Sequence, residues 1–201
     1  MDKAKVAADI IAHALPLVPF DGWNQQTLAQ AASLAGYKKT DAIRVFPGGA
    51  MDAVEAFIQI TDAAMLQALS HYSLETMKIR ERIATIIRIR LELLGTHYEA
   101  VRRTMSFLAS PFNSHRAVKS LYGTVDAIWQ AAGDTSTDFN FYTKRLMLAG
   151  VYSSTLLYWL DDKTPGHDAT WAFLDRRIED VMKIEKLKAK VRSAFGKNAN
   201  H

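Results

Sequence analysis

Apolar residues recur at three- and four-residue spacing along most of the chain, and no run alternates convincingly at period two. The pattern predicts an all-α protein. A first helix is predicted over Val6–Leu15, stopped by Pro16 and Pro19. Asp21-Gly22 is turn chemistry, Asn24 is a suitable N-cap for a short helix to Leu34, and Gly36 ends it. A third short helix covers about Thr40–Val45, and Phe46-Pro47-Gly48-Gly49 forces a turn before a longer helix from Ala50 to about Leu69. A long amphipathic helix is predicted from Ser73 to Leu94. It carries Ile79, Ile83, Ile86, Ile87 and Leu91 on one face, with Arg80, Arg82, Arg88 and Arg90 mostly off it. Gly95 ends it, and Thr96-x-x-Glu99 is a capping-box signature for the next helix, which stops near Ser110-Pro111. Three more helices follow. They run from about Ser114 to Ala132, from an Asp134–Asp138 cap through Leu160, and from His167–Asp168 past Lys190.

Three short helices with a tight turn after the second form a helix-turn-helix-like head over residues 1–50, followed by the longer fourth helix. A helical bundle over 51–182 and a basic amphipathic helix over 183–201 complete the predicted organisation. With Gly22-Trp23 leading into the second helix and Phe46 following the third, this order of elements resembles that of the TetR fold. The head does not carry the charge that duplex binding requires. Residues 1–60 hold five Lys/Arg against six Asp/Glu, whereas residues 175–201 hold eight against four. DNA binding neutralises phosphates with basic side chains. Lys38, Lys39 and Arg44 are the candidate phosphate contacts, but the balance favours a scaffold that binds no nucleic acid.

The 201 residues are 49% hydrophobic and 23% charged, a globular balance, and contain no cysteine. Thiolate catalysis, disulfide frameworks and Cys-ligated metal sites are excluded. No apolar core of signal-peptide character follows the first residues, so secretion by that route is not expected. The most hydrophobic run, Leu146 to Leu160, spans about 22 Å as a helix, short of the roughly 30 Å of a bilayer core. It reads as a buried central helix. Ala149, Gly150, Ser153 and Ser154 place small residues on adjacent turns. Such residues serve close helix packing, the commoner explanation, or line a cavity. Leu157 continues that run, and Met105, Leu108, Leu121 and Val125 on neighbouring helices could line a tunnel with it.

Catalytic signatures are missing. The six histidines include no Glu-x-x-His pair and no His-Glu-x-x-His motif, and neither a phosphate loop nor a nucleophile elbow is present. His71 and Glu75 stand four apart, a spacing more often met in surface pairs. No catalytic residue, metal ligand or cofactor is assigned.

The most informative stretch is Ala132-Gly133-Asp134-Thr135-Ser136-Thr137-Asp138-Phe139-Asn140-Phe141-Tyr142-Thr143-Lys144-Arg145. Its polar half can cap a helix start. Asp138, Tyr142 and Arg145 share a helix face, which suits partner recognition or, equally, core aromatics beside a local ion pair. The stretch resembles the signature of the ninth Coq protein family, lipid-binding accessory proteins of ubiquinone biosynthesis with a TetR-like fold. Further matches are Val18-Pro19-Phe20-Asp21-Gly22-Trp23, Phe46-Pro47-Gly48-Gly49, Arg80-Glu81-Arg82-Ile83, Val125-Asp126-Ala127-Ile128-Trp129 and Thr170 to Ile178, so the likeness covers about residues 15–182. Phe141 departs from it, standing where the family commonly has Trp, and lacks an indole N–H donor.

The resemblance implies a non-enzymatic protein that binds an isoprenoid or quinone lipid between its C-terminal helices. It also implies binding to the di-iron hydroxylase that acts on demethoxyubiquinone, through a patch matching Asp126, Ile128, Phe141, Tyr142 and Arg145. Homodimerisation through the C-terminal helices and a membrane-contacting C-terminal helix complete the picture. On that last point the residues speak independently. Ile184, Leu187, Val191 and Phe195 follow helical spacing, flanked by Lys183, Lys186, Lys188, Lys190 and Arg192. A basic amphipathic helix of this kind either lies in a membrane interface or packs on the protein. The resemblance favours the membrane, at the inner membrane from the cytoplasm of a bacterium or the mitochondrial matrix of a eukaryote. A ligand-responsive repressor and a stand-alone enzyme on quinone precursors are the competing functions.

Overall fold

The computed structural model describes the backbone of residues 2–134 and 139–197, and their side chains apart from those of 139–140 and 184–197. Among the described residues ten α-helices follow one another: α1 (Lys3–Ala14), α2 (Val18–Asp21), α3 (Gln25–Leu34), α4 (Lys39–Val45), α5 (Ala50–Ala68), α6 (Ile79–Leu94), α7 (Tyr98–Leu108), α8 (Ser114–Ala131), α9 (Phe139–Trp159) and α10 (Asp168–Lys197). No strand occurs among the described residues, so the all-α expectation holds.

The starts of the first helices are written in their caps. Asp2 accepts hydrogen bonds from the backbone N–H of Ala4 and Lys5, and Asn24 accepts one from Thr27 at 2.9 Å. The turn before α5 needs Gly49, whose φ of 68° is strained for any residue with a Cβ. One short helix was not foreseen. Pro19 sits in the first turn of α2, where its missing N–H is harmless, so the segment between the two prolines and Gly22 winds up rather than staying open.

Two boundaries differ from the sequence expectation. The long sixth helix starts at Ile79, not Ser73. Lys78 is extended, and its N–H donates to Glu81 Oε2 at 3.0 Å, which fixes the first turn. Arg82 then satisfies the carbonyls of Glu75 and Met77, in and just after a 3-10 turn over Leu74–Thr76, at 3.1 and 2.9 Å. The Thr96 capping box does not form. Thr96 Oγ1 turns back to the carbonyl of Leu93, and α7 begins after His97 without a side-chain cap.

α1, α3 and α4 pack on one another, α1 and α3 also pack on α5, and α2 lies against α7. The head is therefore tied to the bundle. Trp23 is buried, and its indole N–H donates to Thr104 Oγ1 on α7 at 2.9 Å; Arg103 reaches the carbonyl of Pro19 at 3.0 Å. One hydrophobic core runs from Val6 and Ile10 through Val54 and Ile86 to Trp159 and Leu174. The helix predicted as central, α9, packs on α8, α10 and α6 but is not wrapped on all sides. Leu146 is 76% exposed, and Leu157 and Tyr158 are also exposed. No helix among the described residues is long and apolar enough to cross a membrane.

Candidate functional site

Helices α5 to α9 enclose a cavity of about 270 Å³. Its walls are apolar, formed by Phe57, Leu94, Val101, Met105, Leu108, Leu121 and Leu156 among others. Its rim lies between the end of α7 and the start of α8, at Ala109 and Val118, both exposed. Its floor is polar and buried. Arg90, Tyr152, Thr61, Thr104 and Thr124 all line the cavity, and each is at least nine-tenths buried. Arg90 Nε donates to Asp62 Oδ1 at 2.8 Å, Arg90 Nη1 donates to the Tyr152 hydroxyl, and Thr124 Oγ1 donates to Asp62 Oδ2 at 2.9 Å. The Asp62–Arg90 ion pair thus meets the requirement that a buried charge be paired. Burial is the main cause that pushes the Tyr152 phenol above its ordinary pKa, so it remains neutral and able to donate.

Of the residues the sequence suggested for a lipid pocket, Met105, Leu108, Leu121 and Ser153 meet in this cavity. Val125 is fully buried but does not line it. Ala149, Gly150, Ser154 and Leu157 lie on other faces of α9. Gly150 has open space where a Cβ would stand, so close packing does not require it. Ser154 Oγ donates back to the carbonyl of Gly150 at 2.7 Å. The buried polar floor is not among the sequence expectations. A second cavity of about 440 Å³ lies between α6, α8, α9 and α10, lined by Ile83, Met147, Val151 and Ile178 together with Trp129, whose buried indole N–H has no hydrogen-bond partner among the described residues.

The residues proposed for partner recognition divide between the interior and the surface. Arg145 is 3% exposed and lies 2.6 Å from Asp126 Oδ1 and 3.4 Å from Asp134 Oδ2. Its guanidinium stacks 3.3 Å from the centre of the Phe141 ring. Lys144 also reaches Asp134, at 2.7 Å. Ile128 is fully buried. Tyr142, by contrast, is 66% exposed, and it meets Phe141 edge-on at 5.2 Å. Asp138 lies outside the described residues.

α10 continues as one helix to Lys197, so the basic stripe is helical. Lys183 is exposed, within 4.0 Å of Glu179 and 3.8 Å of Asp180. The side chains of Ile184, Lys186, Leu187, Lys190, Val191 and Phe195 lie outside the described residues. In the head, Lys38 and Lys39 are exposed, and Arg44 stands 3.6 Å from Asp41. No cluster of His, Asp or Glu spaced to hold a metal ion occurs among the described residues.

Residues 114–185, which include α8, α9 and the start of α10, match the COQ9 family. The chain is similar to the rat protein named ubiquinone biosynthesis protein COQ9, mitochondrial, at 31% identity over 92% of this chain and 61% of the relative. Its human counterpart is 30% identical over 92% of this chain and 60% of its own length, and the fruit-fly protein 30% over 90% and 57%. The chain thus spans about three fifths of the length of the curated relatives it matches. Among solved structures, a TetR transcriptional regulator from Nitrosomonas europaea has the same fold. The TM-score is 0.70 at 18% identity, over 87% of this chain and 97% of the regulator.

Proposed function

The chain carries a COQ9-family domain, and from that premise we propose that it serves ubiquinone biosynthesis as a non-catalytic lipid-binding protein that delivers a quinone precursor to a di-iron demethoxyubiquinone hydroxylase. The observation that carries the reading is the apolar cavity between α5 and α9, open at the α7–α8 rim. A concave apolar site with a few convergent polar groups is the usual form of a small-molecule site. Exposed Tyr142 at the start of α9 offers the hydroxylase an aromatic anchor, since Tyr is over-represented among such anchors. The basic stripe of α10 would hold the body at an anionic membrane, where its lipid resides. As a protein of this kind, it works as a homodimer at the inner membrane, in the bacterial cytoplasm or the mitochondrial matrix.

The test is hydroxylation of a demethoxyubiquinone embedded in anionic liposomes by the purified hydroxylase. Adding this protein should raise the rate, and Leu121→Trp, which fills the cavity, should remove the gain. An unchanged rate with the wild-type protein would contradict the proposal.

A further inference from the structure

The first cavity is apolar except at its floor, where one guanidinium is buried. Arg90 is 3% exposed, and its hydrogen bonds among the described residues come from Nε to Asp62 and from Nη1 to Tyr152. Nη2 donates to no group among the described residues, although a guanidinium carries donors on all three nitrogens. Tyr152 accepts from Arg90, and its own O–H has no acceptor among the described residues. Two side chains that each keep an unused donor therefore line the same apolar space. Burying a charged pair is unfavourable relative to apolar side chains of the same volume, so packing alone does not account for Arg90 and Asp62 in this position.

We infer that Arg90 and Tyr152 recognise an acceptor oxygen on the ligand, and that the ligand enters head first, as an uncharged amphiphile with a carbonyl or phenolic oxygen on its head and an apolar tail. Asp62 balances the charge of Arg90 at 2.8 Å, so the floor offers hydrogen bonds without a net attraction for a carboxylate or phosphate head. Size agrees with this orientation. A volume of about 270 Å³ is below the roughly 300–1,000 Å³ of pockets that enclose drug-sized ligands. The head is enclosed, and a long tail leaves past Val118 and Ala109. Delivery is then a release step, because the ring is shielded while it is carried.

This inference rests on the cavity being the lipid site, and the experiment separates the two. The probes are a dimethoxy-methyl-benzoquinone bearing two isoprene units and a farnesyl hydrocarbon with no oxygen, each competing against a fluorescent lipid. The wild-type protein should bind the quinone about tenfold more tightly than the hydrocarbon, the effect of a hydrogen bond to a charged group. The paired change Arg90→Met with Asp62→Leu removes both charges together and should bind the two probes alike; Tyr152→Phe should lose part of the preference. In the wild-type protein, which needs no variant to fold, the infrared C=O stretch of the bound quinone should fall below its value in hexane. An unshifted stretch, or a preference that survives the paired change, overturns the inference while leaving the lipid site standing. If the wild-type protein binds neither probe, the lipid-site reading itself fails and takes this inference with it.

Discussion

The Arg145 guanidinium lies 2.6 Å from Asp126 Oδ1 and ties α9 to α8 from a position almost wholly out of water. Asp134 and the Phe141 ring complete its surroundings. Removing Arg145 takes the cation from the partly exposed Asp126 and leaves Asp134 with Lys144, which costs about 1–3 kcal/mol. Arg145→Ala or Arg145→Glu should therefore lower the urea midpoint sharply, so that any loss of hydroxylase binding follows from a damaged fold. Tyr142→Ala should behave in the opposite way. Its side chain is mostly exposed, so stability should change by no more than about 0.5 kcal/mol while hydroxylase capture weakens. Equal urea midpoints for the Arg145 variant and the wild type would contradict the structural role given to the pair.

The uncovered face of α9 leads to a second expectation. Leu146 and Leu157 are exposed apolar groups on one face of that helix, and a symmetric pair of chains would bury them against their copies. Sedimentation equilibrium at micromolar concentration should give a dimer, and Leu157→Glu should shift it to monomer. A wild-type protein that sediments only as monomer would refute this arrangement.

Acid sensitivity should trace to Asp162, which caps the start of α10. Burial pushes its carboxyl up, but four hydrogen bonds, from the N–H and hydroxyl of Thr164 and of Thr170, more than reverse this and hold its pKa well below the ordinary carboxylate value. A carboxylate whose pKa is lower in the folded state stabilises that state above its unfolded pKa of about 3.9, and this stabilisation fades as pH falls towards the folded value. Wild-type stability should drop between about pH 5 and pH 2. Asp162→Asn should be less stable at pH 7 and show a shallower acid slope. Parallel curves for the two proteins would exclude Asp162 as the group responsible.

The tail gives a separable prediction. Truncation after Met182 should abolish pelleting with anionic liposomes while leaving the helical signal of the remaining chain and the Tyr142 surface intact. Full pelleting of the truncated protein would place membrane contact elsewhere.

Most of the helical order is legible in spacing and caps, because those signals act within a few residues. Asn24, the Gly49 turn and Gly95 mark their boundaries locally. The start of α6 is not legible in this way. Nothing between Ser73 and Lys78 breaks a helix, and the boundary depends on Glu81 gripping the Lys78 N–H and on Arg82 reaching carbonyls as distant as that of Ala132. Arg90 is buried, contrary to the expectation that it lies off the apolar face, and the three-four progression of Ile83, Ile87, Arg90 and Leu94 is the signal for its inward position. Its partner could not, because Asp62 is brought to it only by the packing of α5 on α6. The small residues of α9 drew attention to a cavity, but only Ser153 among them lines it; the walls come from five helices whose mutual placement no spacing reveals.

The central claim is that the cavity between α5 and α9 holds a lipid. Solvent extraction and mass spectrometry of the purified protein test it most directly, with Leu121→Trp processed in parallel. A quinone or isoprenoid lipid should be recovered near one equivalent per chain from the wild-type protein and be depleted from the variant. Absence of any such lipid from the wild-type protein, or equal recovery from both, would contradict the assignment of this cavity.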